Sequence, residues 1–237
     1  MPDPGTIPFL QQAVAVSGHM IDQPDRPTPR FPASAEAPVT QAIREVLRSW
    51  GTGPGTLVVS GGARGADIMA AEQALLLGAE VWLLVALPDD EFVPGSVRLP
   101  GTDWEERYRT LRVRCPTRFQ ADELGPVASD EEAFERNNDW LLDAAQAAAP
   151  RLRALAVWDG ARGDGPGGTW DFVRRARTTR YRDSSSFVTI VLHRWGVRAR
   201  SDSSRKTAIA RSRYQGRARR TRPCSRAGAS TPSAAWL

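Results

Sequence analysis

The stretch VVSGGARGADIMA, residues 58–70, constrains the fold more than any other. Apolar residues run into Gly61-Gly62, and Arg64, Gly65 and Asp67 then lead into a helical pattern. A strand that ends on glycines and passes straight into a helix is the repeating step of a β-α-β chain. The step recurs along the sequence. AVAVSGHM (13–20) reads as a short buried strand, TLVVS (56–60) as a second and AEVWLLVAL (79–87) as a third. Between them, residues 34–50 place Val39, Ile43, Val46, Leu47 and Trp50 at near-helical spacing, and residues 66–77 read as a second helix.

The remainder follows the same alternation. Residues 21–32 hold four prolines and read as a loop; 88–103 is a second loop, broken by Pro and Gly. A helix is predicted over 103–115, with Asp103 as N-cap and Glu106 three residues on. Residues 116–129 give no clear pattern. Residues 129–149 form a further helix, opened by Ser129 and Glu132, and 152–160 a further strand. A glycine loop, ARGDGPGG, then precedes the helical start TWDFVRRAR. The order predicts an α/β fold, Rossmann-like and doubly wound, with a mainly parallel sheet and helices on both faces. Such sheets bind ligands beyond the carboxyl ends of their strands, at the topological switch point.

Three strand ends on that edge carry the candidate chemistry: Ser17-Gly18-His19, the loop Gly61-Gly62-Ala63-Arg64-Gly65 with Asp67, and the loop 163–171 with Gly167, Gly168 and Thr169. Glycines there allow positive φ and close approach of backbone N–H groups, and a helix N-terminus attracts anions. Gly61 and Gly62 are expected to leave room for a ligand. Arg64 would pair with a phosphate or lock the loop; Asp67 would cap amides or hold a ribose hydroxyl, unless the two simply pair with each other. His19 could contact a base or phosphate, or stand as a polar loop residue. Trp82, Trp158 and Trp170 read as core, with Trp170 the best placed to stack on a base. The acidic PDDE (88–91) reads as a solvated loop rather than a metal site. A P-loop needs Gly-Lys-Ser/Thr, whereas the one lysine is Lys206, and G-x-G-x-x-G is absent after the first strand. No cofactor is expected, and no metal site, since the body has a single histidine.

SGGARGAD resembles the glycine motif of the SLOG superfamily, which includes DNA-processing protein A, the Lonely Guy phosphoribohydrolases and sensor domains of bacterial conflict systems. VWDGARGDGPGGTWDFV (157–173) resembles the second glycine motif of its sensor-type members. The similarity covers about residues 13–177. It implies a nucleotide or nucleotide-derived ligand bound at the two glycine loops, by a sensor that breaks no bond and works beside a fused or adjacent effector or as a homo-oligomer. Lonely Guy enzymes carry paired acidic residues after Gly-Gly-x-Gly-Thr. Here Asp171 remains and Phe172 stands where the second would be. Asp171 is thus the one candidate catalytic residue, for the alternative of N-glycosidic hydrolysis. A third alternative is single-strand DNA binding like that of DNA-processing protein A.

Charge divides the chain. Residues 1–173 carry 15 Arg against 25 Asp and Glu, and residues 174–237 carry 16 Arg and one Lys against two Asp. The acidic body argues against nucleic acid as its partner. Residues 178–237 lose helical periodicity and read as a basic, Arg/Ser-rich disordered tail, save that 186–193 could add one strand. Three origins compete for this tail: a nucleic-acid-binding segment, a linker remnant, or out-of-frame translation of a GC-rich gene. The Arg/Ser/Ala mixture with one Lys favours the last. Two distant cysteines, Cys115 and Cys224, make no disulfide framework. With no apolar run of membrane-spanning length and no signal-peptide pattern, a cytoplasmic protein is expected.

Overall fold

The structure, a computed structural model, describes residues 10–162, 167–178, 185–193 and 196–201. All of them fall in one compact unit, Met1–Ser204. The strands are β1 (Gln12–Gly18), β2 (Thr56–Ser60), β3 (Glu80–Val85), β4 (Thr117–Phe119), β5 (Leu152–Trp158), β6 (Ser185–His193) and β7 (Gly196–Ser201). The helices are α1 (Glu36–Ser49), α2 (Ala66–Leu76), α3 (Asp89–Phe92), α4 (Trp104–Arg114), α5 (Gln120–Leu124), α6 (Asp130–Ala148) and α7 (Thr169–Ala176).

One seven-stranded sheet runs in the order β4-β3-β2-β1-β5-β6-β7. The first six strands are parallel; β7 returns antiparallel to β6. This is the Rossmann-like α/β architecture that the alternation predicts. The chain steps outward from β1 to β4, then crosses to the far side of β1 to lay down β5. The switch point therefore lies between β1 and β5, whose ladder ends on Gly18 opposite Val157.

Strand residues point alternately into two cores because the side-chain period is two. Val14 and Val16 of β1 join Val58, Val81, Leu83, Leu155 and Val157 under α1, α2 and α4. Ala13 and Ala15 join Leu57, Val59, Leu84, Ala154 and Ala156 under α6 and α7. Helix α1 buries Val39, Ile43, Val46 and Leu47, the predicted stripe. Helix α6 starts where its capping signal lies: the Ser129 hydroxyl accepts from the Glu132 amide at 3.2 Å, and the Glu132 carboxylate accepts from the Ala128 amide at 3.0 Å.

Several local expectations change. Asp103 precedes α4 without a side-chain cap bond; its carboxylate turns instead toward Arg107. Residues 88–103 hold α3 and a single wide turn over Val93–Val97, not a featureless loop. There Asp89 accepts from the Tyr108 hydroxyl and pairs with Arg112, so that part of the PDDE patch is engaged. The stretch without clear pattern folds as β4 and α5. The strand that 186–193 could add is present as β6, which pairs along β5 with Phe187 buried in one core and Ile190 in the other, and β7 beyond it is an addition to the expected sheet. Most of the basic tail, from Asp202 on, lies outside the described residues.

Candidate functional site

A cavity of about 690 Å³ opens at the carboxyl edge of the sheet, beside the switch point. Its size suits a small organic ligand. All three predicted strand ends reach it. Ser17, Gly18 and His19 follow β1; Gly61, Ala63, Arg64 and Asp67 come from the first glycine loop and the start of α2; Gly167, Gly168 and Thr169 come from the second glycine loop and the start of α7. Residues 163–166 of that loop lie outside the described residues. The remaining wall is supplied by the proline-rich loop 22–30, by α6 through Phe134, Asn137 and Asn138, and by the turn around Ser96.

Gly62 and Gly65 are not in the lining. Gly65 caps α2 with φ of 93°, and a Cβ there would stand 2.7 Å from the His19 carbonyl oxygen and the Ile21 amide. It is glycine because two backbones cross. Gly61 is small for a related reason: its Cβ would meet a carboxylate oxygen of Asp67 at 2.9 Å. The room expected for a ligand at this loop is used by the protein's own atoms.

The loop's amides are used likewise. The Ala63 amide donates to the Asp67 carboxylate at 3.4 Å, Arg64 N–H to Ser96 O at 2.9 Å and Ala66 N–H to His19 O at 3.2 Å. The Arg64 guanidinium, 4% exposed, donates to the carbonyls of Ile21 and Gly95, each at 3.1 Å. Of the roles open to it, Arg64 therefore takes the loop lock, and Asp67 is not its partner. Asp67 sits over the first turn of α2, where a carboxylate complements the helix dipole. Burial nevertheless pushes its carboxyl up to about 7, against the pull of neighbouring backbone amides. One of its oxygens, Oδ1, has no hydrogen-bond partner, and neither does the buried Oδ1 of Asn137.

The opposite end of the cavity is built by residues far apart in sequence. His19 Nε2 lies 3.1 Å from Asp159 Oδ1, and Nδ1 lies 3.2 Å from the Thr169 hydroxyl. Arg30 clamps the same carboxylate with Nε to Oδ2 at 2.7 Å and Nη2 to Oδ1 at 3.0 Å. Arg30 is held in turn by its loop: the Asp22 carboxylate accepts from the amides of Arg30 and Phe31 at 2.8 and 2.7 Å. Burial lowers the His19 pKa and the Arg30 cation adds to this, so the ring is neutral at pH 7. The neutral ring donates from Nε2 to Asp159 and accepts at Nδ1 from Thr169. The Arg30 and His19 bonds hold the Asp159 carboxyl well below the usual range despite burial.

Thr169, His19 and Asp159 thus form a hydroxyl–imidazole–carboxylate chain. Its order is that of a nucleophile, base and orienter. Arg30 alters the chemistry: it already neutralises the carboxylate that would have to stabilise an imidazolium. The cluster is a positioned set of hydrogen-bonding groups rather than an activated nucleophile.

The site also depends on residues that sequence reading passed over. Asn138 Nδ2 donates to Gly167 O at 3.0 Å, tying α6 to the second glycine loop. A Cβ on Gly167 would stand 2.5 Å from the Phe134 Cβ, so this glycine too serves packing. Asp171, the candidate catalytic residue, is not in the cavity lining. Its carboxylate accepts from Arg174 at 2.7 Å and Arg175 at 2.5 Å, and these bonds hold it below the usual range. Trp170 likewise stays out of the lining and stacks on Trp158, ring centroids 5.8 Å apart.

Among the described residues, no cluster of His, Cys, Asp or Glu could hold a metal ion, and no helix is long and apolar enough to cross a membrane. No protein-family model matches the chain, and no curated protein matches it.

Proposed function

We propose that the switch-point cavity binds a nucleotide-derived small molecule and that the protein acts as its sensor, without breaking a bond. One observation carries the reading: both glycine loops, separated by about a hundred residues of chain, line a single cavity beside the end of β1. The two loops are not equivalent. At the first, Asp67 and the protein's own carbonyls take the amides of α2. At the second, α7 begins after Gly168 with no side-chain cap, and Gly167, Gly168 and Thr169 face the cavity. A phosphate suits this second end, with the α7 dipole and the Arg30 side chain nearby. The acidic first end suits hydrogen-bond donors of the same ligand.

The resemblance to sensor-type SLOG domains agrees with this division. Hydrolysis loses its support, because Asp171 is committed to Arg174 and Arg175. Binding would act by holding the loop of Asp22 and Arg30 against α7, shifting a conformational or assembly equilibrium. Thermal shift of the full chain with a nucleotide panel tests the reading. A ligand present at a hundredfold its dissociation constant should stabilise by about 2.7 kcal/mol. Steady release of free base from a nucleoside monophosphate would overturn the sensor reading in favour of an enzyme.

A further inference from the structure

The floor of the cavity carries two acceptors with no donor. Asp67 is 8% exposed and Asn137 7% exposed; the Oδ1 of each is buried without a hydrogen-bond partner, and both residues line the cavity. They are neighbours. Asp67 Oδ2 and Asn137 Nδ2 lie 2.9 and 3.5 Å from the point where a Gly61 Cβ would stand. A buried acceptor left without a donor is destabilising, and two together are a defect unless something fills them.

The amides of Ala63, Gly18 and Gly61 face the Asp67 carboxyl and still leave its Oδ1 without a partner, and the nearest side-chain donors of Arg64 and His19 are committed elsewhere. The Arg64 guanidinium is spent on the carbonyls of Ile21 and Gly95, and the imidazole N–H of His19 on Asp159. A metal cation is a poor occupant. The pair offers one carboxylate and one carboxamide, and the Ala63 amide at the positive end of α2 points at the same carboxylate. What fits two adjacent acceptor oxygens is a neutral ligand edge with two adjacent donors.

We propose that Asp67 and Asn137 form the specificity-determining pair of the cavity and accept hydrogen bonds from the vicinal hydroxyls of a ribose. The inference rests on the reading of the cavity as a nucleotide site and names the part of the ligand that the acidic end recognises. Gly61 is the third member of the arrangement: any side chain there would displace Asp67.

The test uses the full chain. Binding of the four ribonucleoside 5′-monophosphates, their 2′,3′-dideoxy forms, and ribose 5-phosphate is measured by calorimetry for the natural protein, Asp67→Asn and Asn137→Ala. Asp67→Asn keeps an oxygen for the Ala63 amide, and circular dichroism checks that each variant folds. A site built to accept from hydroxyls rejects analogues that lack them. The natural protein should therefore bind a ribonucleotide at least tenfold more tightly than its dideoxy form, and both variants should reduce that preference to twofold or less. Equal binding of the two forms, or a preference that survives in both variants, overturns the acceptor pair and leaves the nucleotide reading standing. Binding of ribose 5-phosphate but of no nucleotide, lost in Asp67→Asn, supports the pair and overturns the nucleotide reading. Binding of none of these probes overturns both.

Discussion

His19 and Asp159 lie 140 residues apart in the chain, yet Nε2 of one stands 3.1 Å from Oδ1 of the other across the switch point. The contact joins the ends of β1 and β5, the two strands between which the chain reverses its direction of growth. Arg30 completes it from the proline-rich loop. Asp159→Asn keeps an acceptor but removes the charge between a buried cation and the ring. The expected cost is about 2 kcal/mol in urea denaturation, because a mostly buried cation then loses the carboxylate to which two of its nitrogens donate. An unchanged midpoint would show the carboxylate to be dispensable to the fold.

Arg30→Met tests the same cluster from the other side. The Arg30 cation is one of the influences that lower the His19 pKa, although burial is the larger. Removing it should raise the His19 pKa and make the carboxylate more available to the ring. The chain has two histidines, so proton NMR titration resolves His19 once His193→Gln identifies the other signal. A pKa that falls or stays put would refute the electrostatic account.

Arg64→Lys separates a lock from a ligand contact. The guanidinium bridges two carbonyls from different segments, Ile21 and Gly95, and a lysine ammonium on a flexible stem does not reproduce that planar fork. The variant should lose about 2–3 kcal/mol of stability, since a buried carbonyl goes unpaired. Affinity for any ligand, measured where the variant remains folded, should change far less than stability. A large affinity loss at unchanged melting temperature would return Arg64 to a phosphate-binding role.

Gly65→Ala should be among the most damaging single substitutions. The added Cβ would stand 2.7 Å from two backbone atoms at a residue with φ of 93°. Neither neighbour is a flexible side-chain end, so β1's exit or the start of α2 must move. A loss of about 3 kcal/mol or more is expected, enough to unfold a marginal domain, and a soluble-yield assay with thermal melting would reveal it. Gly101→Ala serves as control: its φ is also positive, but nothing stands within 4 Å of the added atom.

Much of this architecture was legible because its signals are local. The alternation of Val14 and Val16 with Ala13 and Ala15, and the spacing of Val39, Ile43 and Leu47, follow from strand and helix periods alone. So does the start of α6 at Ser129. The glycine loops marked the carboxyl edge of the sheet, and Gly61, Gly167 and Thr169 do line one cavity there. Their physical use was not legible. Gly65 and Gly167 are glycine because of His19 and Phe134, contacts that only the tertiary packing creates. Arg30 sat in a stretch read simply as a proline loop, and its partner Asp159 lies 129 residues on. Asn137 and Asn138 were absorbed into a convincing helical run. An asparagine pair on a helix face that otherwise buries Ala133 and Leu141 was the available clue. The apolar run SFVTIVL marked the strand that became β6, whereas β7 escaped because Arg198 and Arg200 leave it no apolar pattern.

That run bears directly on where the folded body ends. Strand β6 pairs residue by residue with β5 from Leu152 to Trp158, and it buries Phe187 and Ile190 in opposite cores. Ending the chain at residue 177 would expose both core edges and an unpaired ladder on β5. Two buried side chains alone account for about 3–6 kcal/mol. A chain ending at residue 204 should therefore melt at least 10 °C above one ending at 177, which should also aggregate. Equal melting temperatures would place 185–201 outside the functional fold, in keeping with a tail of no evolved role.

Asp67 makes the pH dependence of stability unusual in sign. Its folded pKa, about 7, is raised above the ordinary 3.8, so the native state holds a proton that the unfolded chain releases. Stability from this group is complete below about pH 4 and is lost as pH rises through 7. The displacement corresponds to an upper bound of about 4 kcal/mol. His19 runs the other way: its folded pKa is lowered by burial, so its contribution is present above pH 6.5 and is lost as the pH falls below it. The two groups therefore oppose each other between pH 4 and 6.5. Asp67→Asn removes one side of that balance. The variant should match the natural protein in stability near pH 4, exceed it by about 2 kcal/mol at pH 8, and show a steeper loss on acidification below pH 6.5, because His19 then titrates unopposed. Urea midpoints taken across pH 4–8 decide the matter. A natural protein that gains stability steadily up to pH 8, with a variant that parallels it, would mean that the Asp67 carboxyl is ionised in the folded state and that its unpartnered oxygen carries an ordinary charge.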